Sequence, residues 1–157
     1  LEGAEYLFEP GKAMMKSGAF NLIGSRFSLI KMAESTHLYL VTDATPDRLG
    51  TLMDYGKVFR IISTFPLSNA GIREAAGNFP SADVTARNVP MTSDVLKSRL
   101  CKAAGKARRD KARNCTGSIH LFGVKCLCGG LHENVLLATS RVTLPSDASA
   151  RTHGSRQ

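Results

Sequence analysis

The stretch Lys57-Val58-Phe59-Arg60-Ile61-Ile62-Ser63-Thr64 decides the fold class of this chain. It is rich in β-branched and aromatic residues and stops at Pro66, so it reads as a strand. Immediately downstream, Ser68 suits a helix N-cap, and Ile72, Ala75, Ala76 and Phe79 mark one apolar helical face. Asp83 to Val89 alternates as a second strand. Thr92 or Ser93 caps the next helix, whose Leu96, Leu100 and Ala103 face inward. Ser118 to Leu127 and Asn134 to Val142 form a closing antiparallel pair, joined through Cys128-Gly129-Gly130-Leu131-His132. The order strand, helix, strand, helix, strand, strand predicts an α/β chain, an α+β sandwich with its helices on one face of the sheet.

Upstream of this unit the signals are shorter. Tyr6-Leu7-Phe8 is a strand candidate, and Glu9-Pro10-Gly11 punctuates it. Lys12 to Ile23 reads as a helix, from the spacing of Met15, Ala19 and Leu22. Leu29 to Met32 and His37 to Thr42 read as strands. Asp43 to Gly56 is expected to be a loop holding at most one helical turn, around Leu49 to Met53. Residues 143–157 are small and polar, as in a disordered tail.

The chain has 157 residues, 43% hydrophobic and 22% charged, which suits one ordinary domain with a real core. No stretch approaches the ~20 apolar residues of a membrane span. The start, Leu1-Glu2-Gly3-Ala4-Glu5, lacks the basic and apolar runs of a signal peptide, and a Leu start suggests a piece of something longer. Cys101, Cys115, Cys126 and Cys128 are too few for a disulfide scaffold and read as reduced thiols in a cytoplasmic protein.

The net charge is +8, with 21 basic and 13 acidic side chains. Seven of those units fall between Lys97 and Arg113, where eight bases face one acid, Asp110. Such a segment favours a polyanion. On a continuous helix Arg99, Lys102, Lys106, Arg109 and Arg113 share one face. If Ala103-Ala104-Gly105 ends the helix, the rest is a loose basic loop. With no Trp and 6% aromatics the chain is poorly equipped to stack bases, so phosphate contacts are the expected mode.

Enzyme motifs are missing. There is no dinucleotide fingerprint, no phosphate-binding loop and no nucleophile elbow, and the carboxylates are scattered. Cys115, His120, Cys126, Cys128 and His132 are of metal-binding types, but Cys126-Leu127-Cys128 lacks the two-residue gap of a zinc knuckle. They read as buried or edge groups, and no metal is expected.

Two blocks carry a resemblance. Tyr6-Leu7-Phe8-Glu9-Pro10, Lys16-Ser17-Gly18-Ala19-Phe20 and Thr36-His37-Leu38-Tyr39 resemble the segment that follows the catalytic domain in bacterial class I S-adenosylmethionine-dependent methyltransferases. Ala86-Arg87-Asn88-Val89-Pro90-Met91, with Leu96-Lys97-Ser98-Arg99-Leu100, is similar to the hallmark of their C-terminal THUMP-like domain. The resemblance implies a connector over 1–30 following an absent methyltransferase domain, and a THUMP-like domain over 31–142. It implies S-adenosylmethionine as the cofactor of the parent enzyme, with no cofactor and no catalytic residue in this chain. The implied partners are RNA (transfer or ribosomal) and the N-terminal catalytic domain, with no membrane. Three features depart from the family's pattern: Gly11 follows the Glu-Pro pair where Asn is usual, Lys102 to Thr116 forms a long basic insertion, and Cys128 to Glu133 is expanded.

The leading expectation is a non-catalytic, RNA-binding accessory domain. Its candidate contacts are Lys16, Arg87, Asn88, Lys97, Arg99, Lys102, Lys106 and Arg109. Arg87 suits a bidentate phosphate fork, and Asn88 suits either a base edge or the turn before Pro90, the turn being favoured. The alternative is a docking domain that stabilises the catalytic half without touching RNA, through Tyr6, Phe8, Phe20 and Phe27.

Overall fold

The protein is described here from a computed structural model, which covers residues 4–17, 20–27, 29–33, 36–111, 119–128 and 130–143. All but the first residue of the expected tail, together with Arg113 and Cys115, lies outside the described residues. Twelve elements follow in the order β1 (Tyr6–Pro10), α1 (Lys12–Lys16), α2 (Phe20–Phe27), β2 (Leu29–Ala33), β3 (Thr36–Val41), α3 (Pro46–Tyr55), β4 (Gly56–Pro66), α4 (Asn69–Asn78), β5 (Asp83–Arg87), α5 (Ser93–Lys111), β6 (Ile119–Cys128) and β7 (Leu131–Arg141). The mixed α/β class follows the sequence reading. Two elements do not: the helix expected over Lys12 to Ile23 is two helices, α1 and α2, the second running through Gly24 to Phe27, and the expected loop at 43–56 is a ten-residue helix, α3. Thr45 caps it by accepting from the Arg48 N–H, and Pro46 and Asp47 occupy its first turn.

All seven strands join in one sheet, ordered β2-β3-β1-β4-β7-β6-β5. β1 pairs antiparallel with both β3 and β4, so the stretch expected to be a connector supplies an internal strand, and the sheet has no boundary at residue 30. From β1 to β4 the chain runs as two interleaved split βαβ units, the ferredoxin-like arrangement. β4 then serves twice. Its first half pairs with β1, its second with β7, and a bulge between Ile61 and Ser63 bends it. The unit β4-α4-β5-α5-β6-β7 is the strand-helix order read from Lys57 onward, with β5 and β6 parallel across the α5 crossover.

Strand register separates the two faces of the sheet. Phe8, Val58, Phe65, Leu121, Leu136 and Ala138 point to the helices. Under α3 they close a cluster with Leu49 and Leu52, and under α4 and α5 a second cluster with Ile72, Ala75, Ala76, Leu96, Leu100 and Ala104. The opposite face has no helix, yet Leu7, Leu38, Phe122, Val124 and Leu137 on it are fully buried. The sheet coils to enclose them. β2 packs against β6 although four strands separate the two in the sheet, a span of about 24 Å if the sheet were flat. Met32 of β2 accordingly shares a core with Phe122, Val124 and Cys126 of β6.

α4 is held close to the end of β4. Ser68 caps it by accepting from the Gly71 N–H, and a Cβ on Gly71 would lie 1.9 Å from the Pro66 carbonyl oxygen. Thr92 caps α5 through the Val95 N–H, while Ser93 accepts from the Ala86 N–H at 2.8 Å and so ties α5 to β5. α5 is helical to Ala104, breaks at Gly105 in the left-handed half of backbone space (φ 48°, ψ −125°), and resumes to Lys111.

Candidate nucleic-acid interface

The cationic residues singled out in the sequence separate into distinct places. Lys97, Arg99 and Lys102 are exposed on α5 but do not share a face. Lys97 borders a small cavity with Phe79, Pro80, Leu100 and Cys101 on one flank of the helix. Arg99 and Lys102 lie on the other flank, where they meet Arg73 of α4. The break at Gly105 interrupts the register beyond Lys102, so the stripe expected from helical spacing is not one continuous helical face. Lys106 and Arg109 follow the break, and their side chains lie outside the described residues. Lys16 is exposed at the end of α1, in the ferredoxin-like half.

Arg99, Lys102 and Arg73 line an open groove of about 350 Å³, completed by Asn69, Ile72 and Ala103. Among the described residues no acidic side chain lines it. Ile72 is buried beneath and packs in the same cluster as Leu96 and Leu100, so the core shared by α4 and α5 sets the spacing of the three cations. Among the described residues none of the three has an ion pair or side-chain hydrogen bond. Arg73 was passed over in the sequence. The signal was present: it follows Ile72 on the apolar face of α4, with Gly77 rather than an acid four residues on.

Arg87 and Asn88 behave differently. Arg87 ends β5 on the coiled face and donates from Nη2 to Glu9 Oε2 at 2.8 Å. Both side chains are partly buried, at 32% and 20% exposure. This pair bridges from the edge strand β5 to β1 across the mouth of the coiled sheet. Asn88 has a positive φ of 56° and holds the turn into Pro90, the conformation Asn tolerates best among residues with a Cβ.

The same mouth contains His120, half-buried and stacked on Phe122 at 4.1 Å between ring centroids. Its Nε2 lies 2.7 Å from Thr85 Oγ1. Burial pushes its pKa below the usual histidine value, against the carboxylates of Asp83 and Glu9, with Lys57 and Arg87 adding to the depression. Arg141 sits over the Phe59 ring at 5.8 Å. The residues named for docking fare poorly: Phe8 is fully buried in the α3 cluster, against which Tyr6 and Phe27 pack half-buried. The Phe20 side chain lies outside the described residues.

Among the described residues no three His, Cys, Asp or Glu side chains gather as a metal site would need, and no helix is long and apolar enough to cross a membrane.

Comparison with known proteins locates this architecture. A family model for a ferredoxin-like domain matches residues 6–47, within the β1-to-β4 half. No curated protein matches the chain. A crystal structure described as a "putative methyltransferase" from Porphyromonas gingivalis W83 superposes with a TM-score of 0.66 over 88% of this chain, at 24% identity. This chain spans 30% of that one. At that identity the likeness is one of fold, and it occupies part of a larger chain.

Proposed function

We propose that this chain is the RNA-binding accessory module of a larger S-adenosylmethionine-dependent methyltransferase and performs no bond-making itself. The observation that carries the reading is the α4–α5 flank, where Arg73, Arg99 and Lys102 present three unpaired positive charges with no acid among the described residues that line it. The likeness to part of the Porphyromonas gingivalis structure supports the accessory role. S-adenosylmethionine belongs to the catalytic part of the parent protein, with transfer or ribosomal RNA as the substrate class. Affinity comes from backbone phosphates rather than from base edges, because the flank is cationic and carries no aromatic platform.

The test is fluorescence anisotropy with a folded transfer RNA over a series of salt concentrations. Each phosphate neutralised steepens the slope of log affinity against log salt by about 0.7 to 0.9. The double variant Arg99→Glu, Lys102→Glu is expected to abolish binding at moderate salt. Binding of unchanged strength and unchanged slope in that variant overturns the reading.

A further inference from the structure

The α4–α5 groove differs from an ordinary basic surface in how it is built. Its cations come from two helices, Arg73 from α4 and Arg99 and Lys102 from α5, and they surround one concavity instead of lining one face. The two helices are locked together by Ile72, Ala75 and Ala76 against Leu96, Leu100 and Ala104, all buried. Folding therefore brings three like charges together before any ligand arrives, and an anion finds them preorganised. A small residue leaves the space open: Ala103 lines it where a larger side chain would fill it.

We propose that this groove is a discrete phosphate subsite, in which Arg73, Arg99 and Lys102 converge on a single phosphoryl group. It rests on the RNA reading above and deepens it, by assigning one backbone phosphate to a fixed position. Three features select phosphate over a carboxylate. Two guanidinium forks and an ammonium approach from different elements, which suits a tetrahedral group with several acceptor oxygens better than a planar one with two. Asn69, the first residue of α4, lines the groove, and the partial positive charge of a helix start adds to the cations there. The volume, about 350 Å³, equals that of about twelve waters at about 30 Å³ each, enough for a phosphoryl group that keeps part of its hydration. The open mouth suits a phosphate carried by a large polymer. A free pyrophosphate-bearing compound offers the same chemistry, and the experiment separates the two sources.

The test uses the full chain and three variants: Arg73→Ala, Arg73→Lys, and Lys31→Ala as a charge-matched change on the exposed part of β2. Inorganic pyrophosphate is titrated while backbone amide resonances are followed, and transfer RNA binding is measured against salt in parallel. The expected result is saturable pyrophosphate shifts at Asn69, Ala70, Arg99 and Lys102 that Arg73→Ala removes. RNA affinity is expected to fall about tenfold in Arg73→Ala, less in Arg73→Lys, and not in Lys31→Ala. Equal losses in Arg73→Ala and Lys31→Ala, without localised pyrophosphate shifts, would overturn the subsite and leave diffuse RNA binding standing. Pyrophosphate binding in the groove with no RNA binding would uphold the subsite for a free phosphate compound and overturn the RNA reading. Absence of both would overturn both. Arg73 is exposed, so thermal unfolding of its variants is expected to match the parent chain and to exclude misfolding as the cause.

Discussion

Arg87 and Arg99 sit twelve positions apart in one β5–α5 unit, and the fold uses them in opposite ways. Arg87 turns to the coiled face and is neutralised by Glu9 from a strand 78 residues earlier in sequence. Arg99 turns to the α4–α5 flank, where every charged neighbour among the described residues of the groove has its own sign. Net charge does not distinguish these cases. The difference lies in which carboxylates the topology delivers: the coil of the sheet carries β1 to the mouth where β5 ends, and no acid of α4 lines the groove. An available positive charge is thus a property of tertiary structure, even when the basic residues are dense in sequence.

That contrast is most severely tested by removing what the mouth stands on. Phe122 is fully buried on the coiled face, edge-on to Phe59 at 5.2 Å and stacked beneath His120. Phe122→Ala is expected to cost about 3–5 kcal/mol in urea unfolding and to loosen the mouth. A loss below about 1 kcal/mol would show that the helix-free face is no packed interior. Gly71→Ala acts on one side only. The new Cβ collides with the Pro66 carbonyl, so α4 must lift from β4, at about 1–3 kcal/mol. RNA affinity is expected to fall as Arg73 is displaced, while the Arg87–Glu9 pair persists. Retained affinity would mean that the spacing of the two helices does not matter.

The third change is smaller and separates the two arginines directly. Arg87→Ala breaks a single partly exposed ion pair and is expected to destabilise by about 1 kcal/mol or less. Its effect on RNA affinity is expected to stay within about twofold, against about tenfold for Arg99→Ala. A double-mutant cycle with Glu9→Ala measures the pair itself. Equal losses of RNA affinity from the two arginine variants would erase the distinction between mouth and groove.

Much of the second half was legible. The β-branched run at Lys57, the cap at Ser68 and the apolar face of α4 are local signals, and tertiary packing agrees with each; on α5 Leu96 and Leu100 turn inward as expected, but Ala104 is the buried residue of the next turn and Ala103, expected inside, is exposed on the groove. The first half was harder to read because its meaning is non-local: Tyr6-Leu7-Phe8 is a short strand whose two neighbours come from later in the chain. α3 was missed for another reason. Gly50 and Thr51 weaken its helical propensity, whereas the start signal, Thr45 before Pro46 and Asp47, was there to be read. Of the candidate interface, Arg99 and Lys102 followed from charge density. Arg73 required knowing that α4 lies beside α5, and the partner of Arg87 required the coil of the sheet. Helical spacing overreached at Gly105, because periodicity presumes unbroken backbone geometry.

The smallest expected effect is a pH dependence seated in the mouth. Burial holds the His120 pKa below the usual histidine value of 6.5. Above about pH 6.5 the ring is neutral in both folded and unfolded chains and contributes no slope. As pH falls below that value the unfolded chain takes up a proton that the folded chain resists, so stability declines until the folded ring also titrates. His120→Gln is expected to flatten this part of the profile. Arg87→Ala gives a sharper test, since Arg87 helps to depress the His120 pKa while Glu9 and Asp83 raise it. Without Arg87 the ring titrates at higher pH, measured on its Cε1 proton resonance, and the acid sensitivity shrinks. Arg99→Ala is expected to leave that titration where it was. A His120 titration that moves equally in both variants would mean that groove and mouth share one electrostatic field, and that the neutralised and the free arginine are less separate than their contacts make them.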